Sequence, residues 1–263
     1  KDVRYQALMG GANDFLNKPI DRAEFSARAR NMISLRTAQK FLADRAQHLE
    51  ALVEERTAEI RDREKELIFR MSRAAEFRDP ETGAHIQRMA HYSQVIARGL
   101  GLDSSKVKLI LEAAPLHDVG KIGIPDYILL KPGKLTPEEM EVMKGHSRLG
   151  FELLQGSGSE ILRAGAEIAV SHHEKYDGSG YPKQLKGTDI PLYGRIVAVA
   201  DVFDALTSER PYKKAWSLED AVAFLENGRG SHFDPLCIEA FLAGWDDVVT
   251  IRQRFQDEIV PQI

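Results

Sequence analysis

Residues 34 to 75 contain neither glycine nor proline and are rich in Glu, Arg, Ala and Gln, which is the feature that most restricts the folds open to this chain. Because glycine and proline are the common interrupters of helices, the stretch predicts one long helix. Two rows of apolar residues recur at every seventh position: Ala46, Val53, Ile60 and Leu67, and Leu35, Leu42 and Leu49. Such rows, three positions apart, are typical of a two-stranded coiled coil. We therefore expect a parallel homodimer through this helix, although Arg56 and Arg63 continue the second row and leave open a single amphipathic helix on its own domain.

The segment before this helix joins a short apolar stretch to turn residues, in GGANDFLNKPID followed by RAEFSARARNMISL. It predicts a strand around Phe15 and Leu16, a stop at Lys18-Pro19 and then a helix, and it is too short to bury a core alone. The Gly-Ala step, strand, Lys-Pro pair and final helix resemble the end of a receiver domain from two-component signalling. The resemblance covers about residues 5 to 33, and the alternative is an ordinary strand–loop–helix. It implies that Lys18 contacts the phosphorylated site and that the phosphoacceptor aspartate lies upstream of Lys1.

Composition argues against several classes of protein. The 263 residues carry 36 basic and 40 acidic side chains, for a net charge of −4, so we expect no binding to polymeric nucleic acid. No apolar run approaches the roughly 20 residues that span a bilayer, so no membrane association is expected. Cys237 is the single cysteine, which precludes an intrachain disulfide and fits a cytoplasmic protein.

From about Ser72 onward the pattern is helical. Apolar residues recur at three- and four-residue spacing in VKLILEAAPL, EILRAGAEIAV and RIVAVADVFDAL, and strand-like alternation is scarce. Polar, glycine-rich turns such as HEKYDGSGYP and ENGRGSHFDP separate these runs. This organisation predicts an all-α domain whose loops carry the function.

Histidines and carboxylates cluster along this helical part. His117 and Asp118 stand together in an apolar stretch, with Lys121 one turn later. The other members of the set are Glu81 and His85, four residues apart; His146, expected in a loop or at a helix start; the pair His172 and His173; and Asp201. Imidazole and carboxylate suit iron, manganese and zinc, and the set exceeds the three or four protein ligands of a single zinc. It suggests two or three metals, which suit in-line attack at phosphorus.

Several motifs agree with one known family in order and spacing. LHDVGK, HHEKYDGSGYP, RDPETGAH, KPGKLTPEE and HFDP, between about residues 73 and 245, resemble the HD-GYP subfamily of the HD phosphohydrolases. The resemblance implies an all-α, HD-domain helical bundle, preceded by the coiled-coil helix and the receiver remnant. The implied domains are residues 1–33, a receiver fragment; 34–72, a coiled-coil linker; and 73–263, the HD-GYP domain.

The resemblance also implies an activity, the metal-dependent hydrolysis of the bacterial second messenger cyclic di-GMP to linear pGpG, to GMP or to both. The attacking group would be a hydroxide held between two or three divalent ions, with iron or manganese expected. The implied metal ligands are Glu81, His85, His117, Asp118, His146, His172, His173 and Asp201. Glu81 favours three metals over two, and Asp118 would bridge them. Catalysis would involve His117, Asp118 and Lys121, with Lys121 stabilising charge on the phosphate.

Substrate contacts are expected from two stretches. Tyr181 in the GYP loop could hydrogen-bond or pack on a base, Asp204 could accept from a guanine N–H, and Arg210 and Lys213 could hold phosphates. Expected partners are a sensor histidine kinase acting on the receiver domain, and GGDEF-domain proteins. Two alternatives remain: a non-catalytic nucleotide sensor or docking module, and a hydrolase of another cyclic dinucleotide.

Overall fold

The structure, a computed structural model, describes residues 2–76, 83–209 and 214–256. Its α-helices are α1 (Asp2–Met9), α2 (Arg22–Glu76), α3 (Gly83–Gly99), α4 (Ser104–Ala113), α5 (Asp126–Leu129), α6 (Pro137–Leu154), α7 (Glu160–Ser171), α8 (Leu192–Thr207), α9 (Leu218–Asn227), α10 (Pro235–Ala243) and α11 (Trp245–Arg254). Short 3-10 helices occupy Ala114–Leu116, Val119–Gly123 and Gly187–Asp189. Within these described ranges no β-strand forms, so the prediction of an all-α fold is confirmed.

The chain divides into two units, Lys1–Asp62 and Arg63–Ile263. In the first, Asp21 starts helix α2 by accepting a hydrogen bond from the Glu24 backbone N–H at 2.8 Å. The predicted strand at Phe15 and Leu16 is wrong: both residues lie in irregular chain between α1 and α2. A strand needs a neighbouring strand to satisfy its backbone groups, and the described residues of this unit provide none. The receiver resemblance stays a prediction.

Helix α2 confirms the prediction of one long helix and is longer than expected, running from Arg22 to Glu76. Its seven-residue rows are exposed; Leu42, for example, retains 65% of its accessible surface. The last turns differ, because Ile68, Ser72 and Ala75 are buried in the second unit. The predicted boundary between linker and domain, after residue 72, therefore falls inside a helix whose end already belongs to the domain core. Among the described residues, no helix is both long and apolar enough to cross a membrane.

The second unit is a bundle of helices around an aromatic centre. Tyr92 on α3, Phe203 on α8 and Phe241 on α10 are fully buried, with ring centroids 4.8 to 6.1 Å apart and edge-to-face geometry. Helix α3 packs against α4, α8 and α10, while α6 packs against α7. This arrangement brings one end of α7 and the middle of α6 and α8 to the connection that follows α4.

The connection that follows α4 packs closely against α6, and a glycine in it, Gly120, makes this approach possible. A Cβ atom on Gly120 would lie 1.9 Å from the His146 carbonyl oxygen and 2.4 Å from the Gly150 backbone nitrogen, so no side chain fits there. The backbone of the 3-10 helix Val119–Gly123 therefore touches the backbone of α6 directly. This close approach sets Asp118 beside His146.

Candidate metal centre

Two groups of side chains in the second unit have the composition of metal sites. In the first group, Asp118, His146, His172 and His173 each offer a ligand atom, and these atoms lie within 4.8 Å of one another. In the second group, His85, His117 and Asp201 do the same. We call them the Asp118 cluster and the Asp201 cluster. The ligands come from α3, α6, α8, the connection after α4 and the C-terminal end of α7, so only the folded bundle assembles them.

Asp118 faces both clusters. Its Oδ1 lies 3.1 Å from His146 Nε2 and 3.5 Å from His172 Nε2, within its own cluster. Its Oδ2 lies 3.2 Å from Nε2 of His117, which belongs to the Asp201 cluster. One carboxylate thus presents one oxygen to each group, which is the placement of a bridging ligand.

In three of the cluster histidines, the ring nitrogen that points away from the centre contacts a backbone carbonyl oxygen. Nδ1 of His117 contacts the Ala114 carbonyl at 3.2 Å, Nδ1 of His146 contacts the Met143 carbonyl at 2.7 Å, and Nδ1 of His172 contacts two carbonyls at 3.1 Å. A carbonyl oxygen can only accept, so this hydrogen-bond network assigns the proton to Nδ1 in each ring. Each Nε2 then carries a lone pair directed to the centre, as a metal requires.

The charges of the Asp118 cluster also suit a cation. Burial lowers the pKa of His172, and burial lowers the pKa of His173 well below its ordinary value, so both rings are neutral near pH 7. Burial alone would raise the pKa of Asp118, but its neighbours, and first of all the charge of Lys121, outweigh this effect and hold the pKa well below the ordinary range. The cluster therefore combines one anion with the neutral imidazoles of His172 and His173, which is the protonation state that metal binding needs.

Two buried atoms support the binding of a cation in the Asp118 cluster. Within the described part of the chain, Asp118 Oδ1 and His172 Nε2 have no hydrogen-bond partner, although both are shielded from solvent. Leaving a buried polar atom unsatisfied costs about 1–3 kcal/mol, and more for a charged group. Both atoms face the same space inside the Asp118 cluster, so a divalent cation there would satisfy them together.

Lys121 and Tyr181 border the centre. Lys121 Nζ lies 2.8 Å from Asp118 Oδ2, and its side chain keeps 12% of its accessible surface. The ring of Tyr181 stacks on His173 with centroids 4.7 Å apart, and Lys144 Nζ lies 5.6 Å from the Tyr181 centroid. Burial raises the pKa of the Tyr181 hydroxyl, which therefore stays protonated and able to donate. Both predicted residues are thus beside the ligands, at the border of the centre.

The other predicted site residues have different outcomes. Glu81, Arg210 and Lys213 lie outside the described residues. His146 lies within helix α6 and not in a loop or at a helix start, because a capping box between Thr136 and Glu139 begins that helix ten residues earlier. Gly145 does not interrupt it.

The prediction that Asp204 contacts a guanine is wrong for this position. Asp204 is fully buried on α8, where Oδ1 accepts from Arg88 Nε at 2.6 Å. Oδ2 accepts from His85 Nδ1 at 2.8 Å, from Arg88 Nη2 at 2.9 Å and from the Ser208 hydroxyl at 3.0 Å. Burial alone would raise the pKa of Asp204, yet the hydrogen bonds from His85 and Arg88 hold that pKa below the ordinary value. The carboxylate is saturated by the protein and has no access to a ligand.

The sequence analysis did not single out Arg88 and Glu174, which both lie near the centre. Arg88 follows His85 by three positions, so the two residues share one face of α3, and this spacing was the available signal for Arg88. Glu174 is buried and accepts from the backbone N–H groups of Lys183 and Leu185 at 2.7 and 3.1 Å. It thereby ties together the loop that carries Tyr181.

Comparison with known proteins identifies the bundle. The profile of the HD domain family matches residues 69–236. The chain is 51% identical over 253 residues to the cyclic di-GMP phosphodiesterase response regulator RpfG of Xanthomonas campestris pv. campestris, covering 96% of this chain and 67% of that protein. It is 42% identical over 262 residues to a probable cyclic di-GMP phosphodiesterase of Vibrio cholerae, covering 94% of this chain and 59% of that protein.

A solved structure resembles the fold. The cyclic GMP-AMP specific phosphodiesterase V-cGAP3 of Vibrio cholerae superposes with a TM-score of 0.53 at 21% sequence identity, over 73% of this chain and 49% of that one. At this identity the similarity concerns the helical architecture alone.

Proposed function

This chain belongs to the HD-domain family, and we propose that it hydrolyses a phosphodiester bond of a cyclic dinucleotide, with cyclic di-GMP as the first candidate. The observation that carries the proposal is Asp118, which presents one oxygen to each of two adjacent ligand clusters. The names of the two curated relatives support the substrate class. The chain spans about three fifths to two thirds of their length, so activity and substrate are proposed here for the part that it covers.

The two clusters would hold divalent metals, with iron or manganese as the candidates that prefer imidazole and carboxylate. Asp118, His146, His172 and His173 would bind one ion, and His85, His117 and Asp201 another, with Glu81 as the predicted ligand of a third. When bound, such ions activate water for attack and neutralise charge on the phosphate.

The protein's own residues orient the substrate and balance its charge. Lys121, already 2.8 Å from Asp118, would stabilise the negative charge that grows on the phosphate as the bond to the ribose oxygen breaks. The Tyr181 hydroxyl, kept protonated by burial, would donate to the ligand. Arg210 and Lys213 remain proposed phosphate contacts, and linear pGpG, GMP or both remain the proposed products.

We also propose that two copies of the chain pair along α2. The apolar rows at Leu35, Leu42 and Leu49 and at Val53 and Ile60 are exposed, and each of these side chains retains about half or more of its accessible surface. Exposed apolar residues at seven-residue spacing are stabilised by a second helix with the same pattern.

Regulation would act through the same helix. Within the second unit, Glu64 accepts a hydrogen bond from the Ser159 hydroxyl at 2.6 Å, and Lys65 Nζ lies 3.2 Å from Glu112. Ser159 begins α7, whose other end carries His172, and Glu112 lies five residues before His117. A receiver domain that changes the register of α2 would therefore move two segments that carry metal ligands.

A sensor histidine kinase would act on that receiver domain, and GGDEF-domain proteins are proposed as further partners. A cytoplasmic location is also proposed, and the free, buried Cys237 is compatible with it.

The variant Leu42→Asp/Leu49→Asp tests the dimer and its regulatory role together. Charges introduced into these apolar rows are expected to convert a dimer to a monomer in analytical ultracentrifugation. We expect turnover to change by several-fold while the metal content stays the same. Lys40→Asp/Gln47→Asp, on the same helix but outside both rows, is the matched control. A parent chain that sediments as a monomer would contradict the dimer, and a monomeric variant with parental turnover would contradict regulation through α2.

The activity itself is tested with purified protein loaded with Mn²⁺ or Fe²⁺ and supplied separately with cyclic di-GMP and with the mixed guanine–adenine ring. We expect metal-dependent cleavage of cyclic di-GMP, with products identified by chromatography. Faster cleavage of the mixed ring would correct the substrate and leave the reaction class intact. Bound metal without cleavage of either ring would contradict the proposal and favour a nucleotide sensor or docking module.

A further inference from the structure

Arg88 makes several buried contacts next to the metal centre. It lies on α3, three residues after His85, and keeps 3% of its accessible surface. Its Nε and Nη2 atoms donate to the two oxygens of Asp204 at 2.6 and 2.9 Å, in a forked pair, and Nη2 also donates to the Ser208 hydroxyl at 2.7 Å. Such a fork fixes both the position and the plane of a carboxylate.

The carboxylate that Arg88 fixes in turn holds a metal ligand. Asp204 Oδ2 accepts from His85 Nδ1 at 2.8 Å, and His85 Nε2 lies 3.8 Å from Asp201 Oδ1 on the opposite side of the ring. A carboxylate oxygen accepts only from a protonated nitrogen, so this contact assigns the proton to Nδ1 and leaves Nε2 to bind an ion. His85 differs in this respect from His117, His146 and His172, whose Nδ1 atoms are held by backbone carbonyls.

The network extends to the C-terminal part of the described chain. The third nitrogen of Arg88, Nη1, donates to the Phe255 carbonyl at 2.9 Å, just after α11. The Phe255 ring also lies 4.9 Å from that of His91 on α3, and Arg252 donates to the Thr207 carbonyl on α8 at 3.2 Å. The end of α11 therefore braces the two helices that carry His85 and Asp201.

We propose that Arg88 is a positioning residue for the Asp201 cluster: by holding Asp204 and the Phe255 carbonyl, it fixes the orientation and tautomer of His85. Arg88 would act on the metal ligand His85 through Asp204. The proposal rests on the metal centre of the proposed function, and it gives the segment after Trp245 a role in metal binding. Changing a residue that orients a metal ligand costs about 10–100-fold in metal affinity.

The test is Arg88→Lys, which keeps the positive charge and removes the fork. Mn²⁺ binding to the full chain is measured by calorimetry, and metal content is determined after dialysis at fixed free Mn²⁺. We expect the affinity of one ion to fall about 10–100-fold while the ion at the Asp118 cluster is retained. In the metal-free protein, nitrogen-15 spectra of the histidine rings are expected to show His85 as a single Nδ1–H tautomer in the parent and as a mixture in the variant. A merely structural role for Arg88 would leave this tautomer signal unchanged.

Two further variants complete the experiment. Arg98→Lys, the same substitution at the exposed far end of α3, is expected to bind Mn²⁺ like the parent. Asp204→Asn keeps the size of the side chain but removes one of the two oxygens that Arg88 holds. If Arg88→Lys does not fold, a selective loss of affinity for one ion together with loss of the Nδ1–H tautomer of His85 in Asp204→Asn supports the proposal, and parental binding with that tautomer intact overturns it. A folded Arg88→Lys protein with parental affinity and a single His85 tautomer also overturns it. A parent that binds no metal would instead overturn the proposed function.

Discussion

Replacing Asp118 by asparagine is expected to abolish turnover and to empty both clusters of the candidate centre. The substitution keeps the size of the side chain but removes the anion that faces His146 and His172 on one side and His117 on the other. The metal contribution to phosphodiester cleavage is worth several kcal/mol, and about 1.4 kcal/mol corresponds to a tenfold change in rate. We therefore expect turnover to fall ~10³-fold or more.

The measurement pairs cyclic di-GMP turnover with elemental analysis of the same samples. Circular dichroism checks the fold, which we expect to persist because asparagine fills the space of the aspartate. Asp189→Asn, which removes an exposed carboxylate, is the matched control and should behave like the parent. An Asp118→Asn protein that retains its full metal content would show that Asp118 does not bridge the two clusters.

The ligand set could be predicted from the sequence because its members belong to residue types with few alternative roles inside an apolar bundle. His117, Asp118, His172 and His173 stand as adjacent pairs within apolar runs, where a buried charge needs compensation. The structure brings every predicted ligand among its described residues into one of two clusters. The relative position of the clusters could not be predicted, since it depends on contacts such as that of Gly120 with the backbone of α6.

The errors at Asp204 and at Phe15 and Leu16 have a common physical cause. Asp204 looked available for substrate, but its partners His85 and Arg88 are more than a hundred residues away in sequence, and only the packing of α3 on α8 reveals them. Phe15 and Leu16 have the local composition of a strand, but strand formation depends on a neighbour that the described part of the first unit does not supply. In each case a non-local partner, present or absent, decided the outcome.

Lys121→Met is expected to separate charge stabilisation from metal binding. The methionine keeps most of the apolar stem but removes the ammonium group that lies 2.8 Å from Asp118 Oδ2. Removing one preorganised group that stabilises transition-state charge typically costs about 10²–10³-fold in kcat. We expect a loss of that size with both metals still bound and with KM changed much less, because the interaction grows only as charge develops on the phosphate.

The alternative is that Lys121 serves only to keep Asp118 ionised. The charge of Lys121 is the largest influence opposing the effect of burial on the pKa of Asp118, so its loss raises that pKa and weakens metal binding as the pH falls. Raising the pH or the Mn²⁺ concentration would then restore the kcat of Lys121→Met. A loss of kcat caused by missing charge stabilisation would instead persist at saturating metal. Lys108→Met, on the exposed face of α4, controls for the substitution. Full recovery of kcat at saturating Mn²⁺ would contradict a catalytic role for Lys121, because the ammonium would then act on the metal site and not on the phosphate.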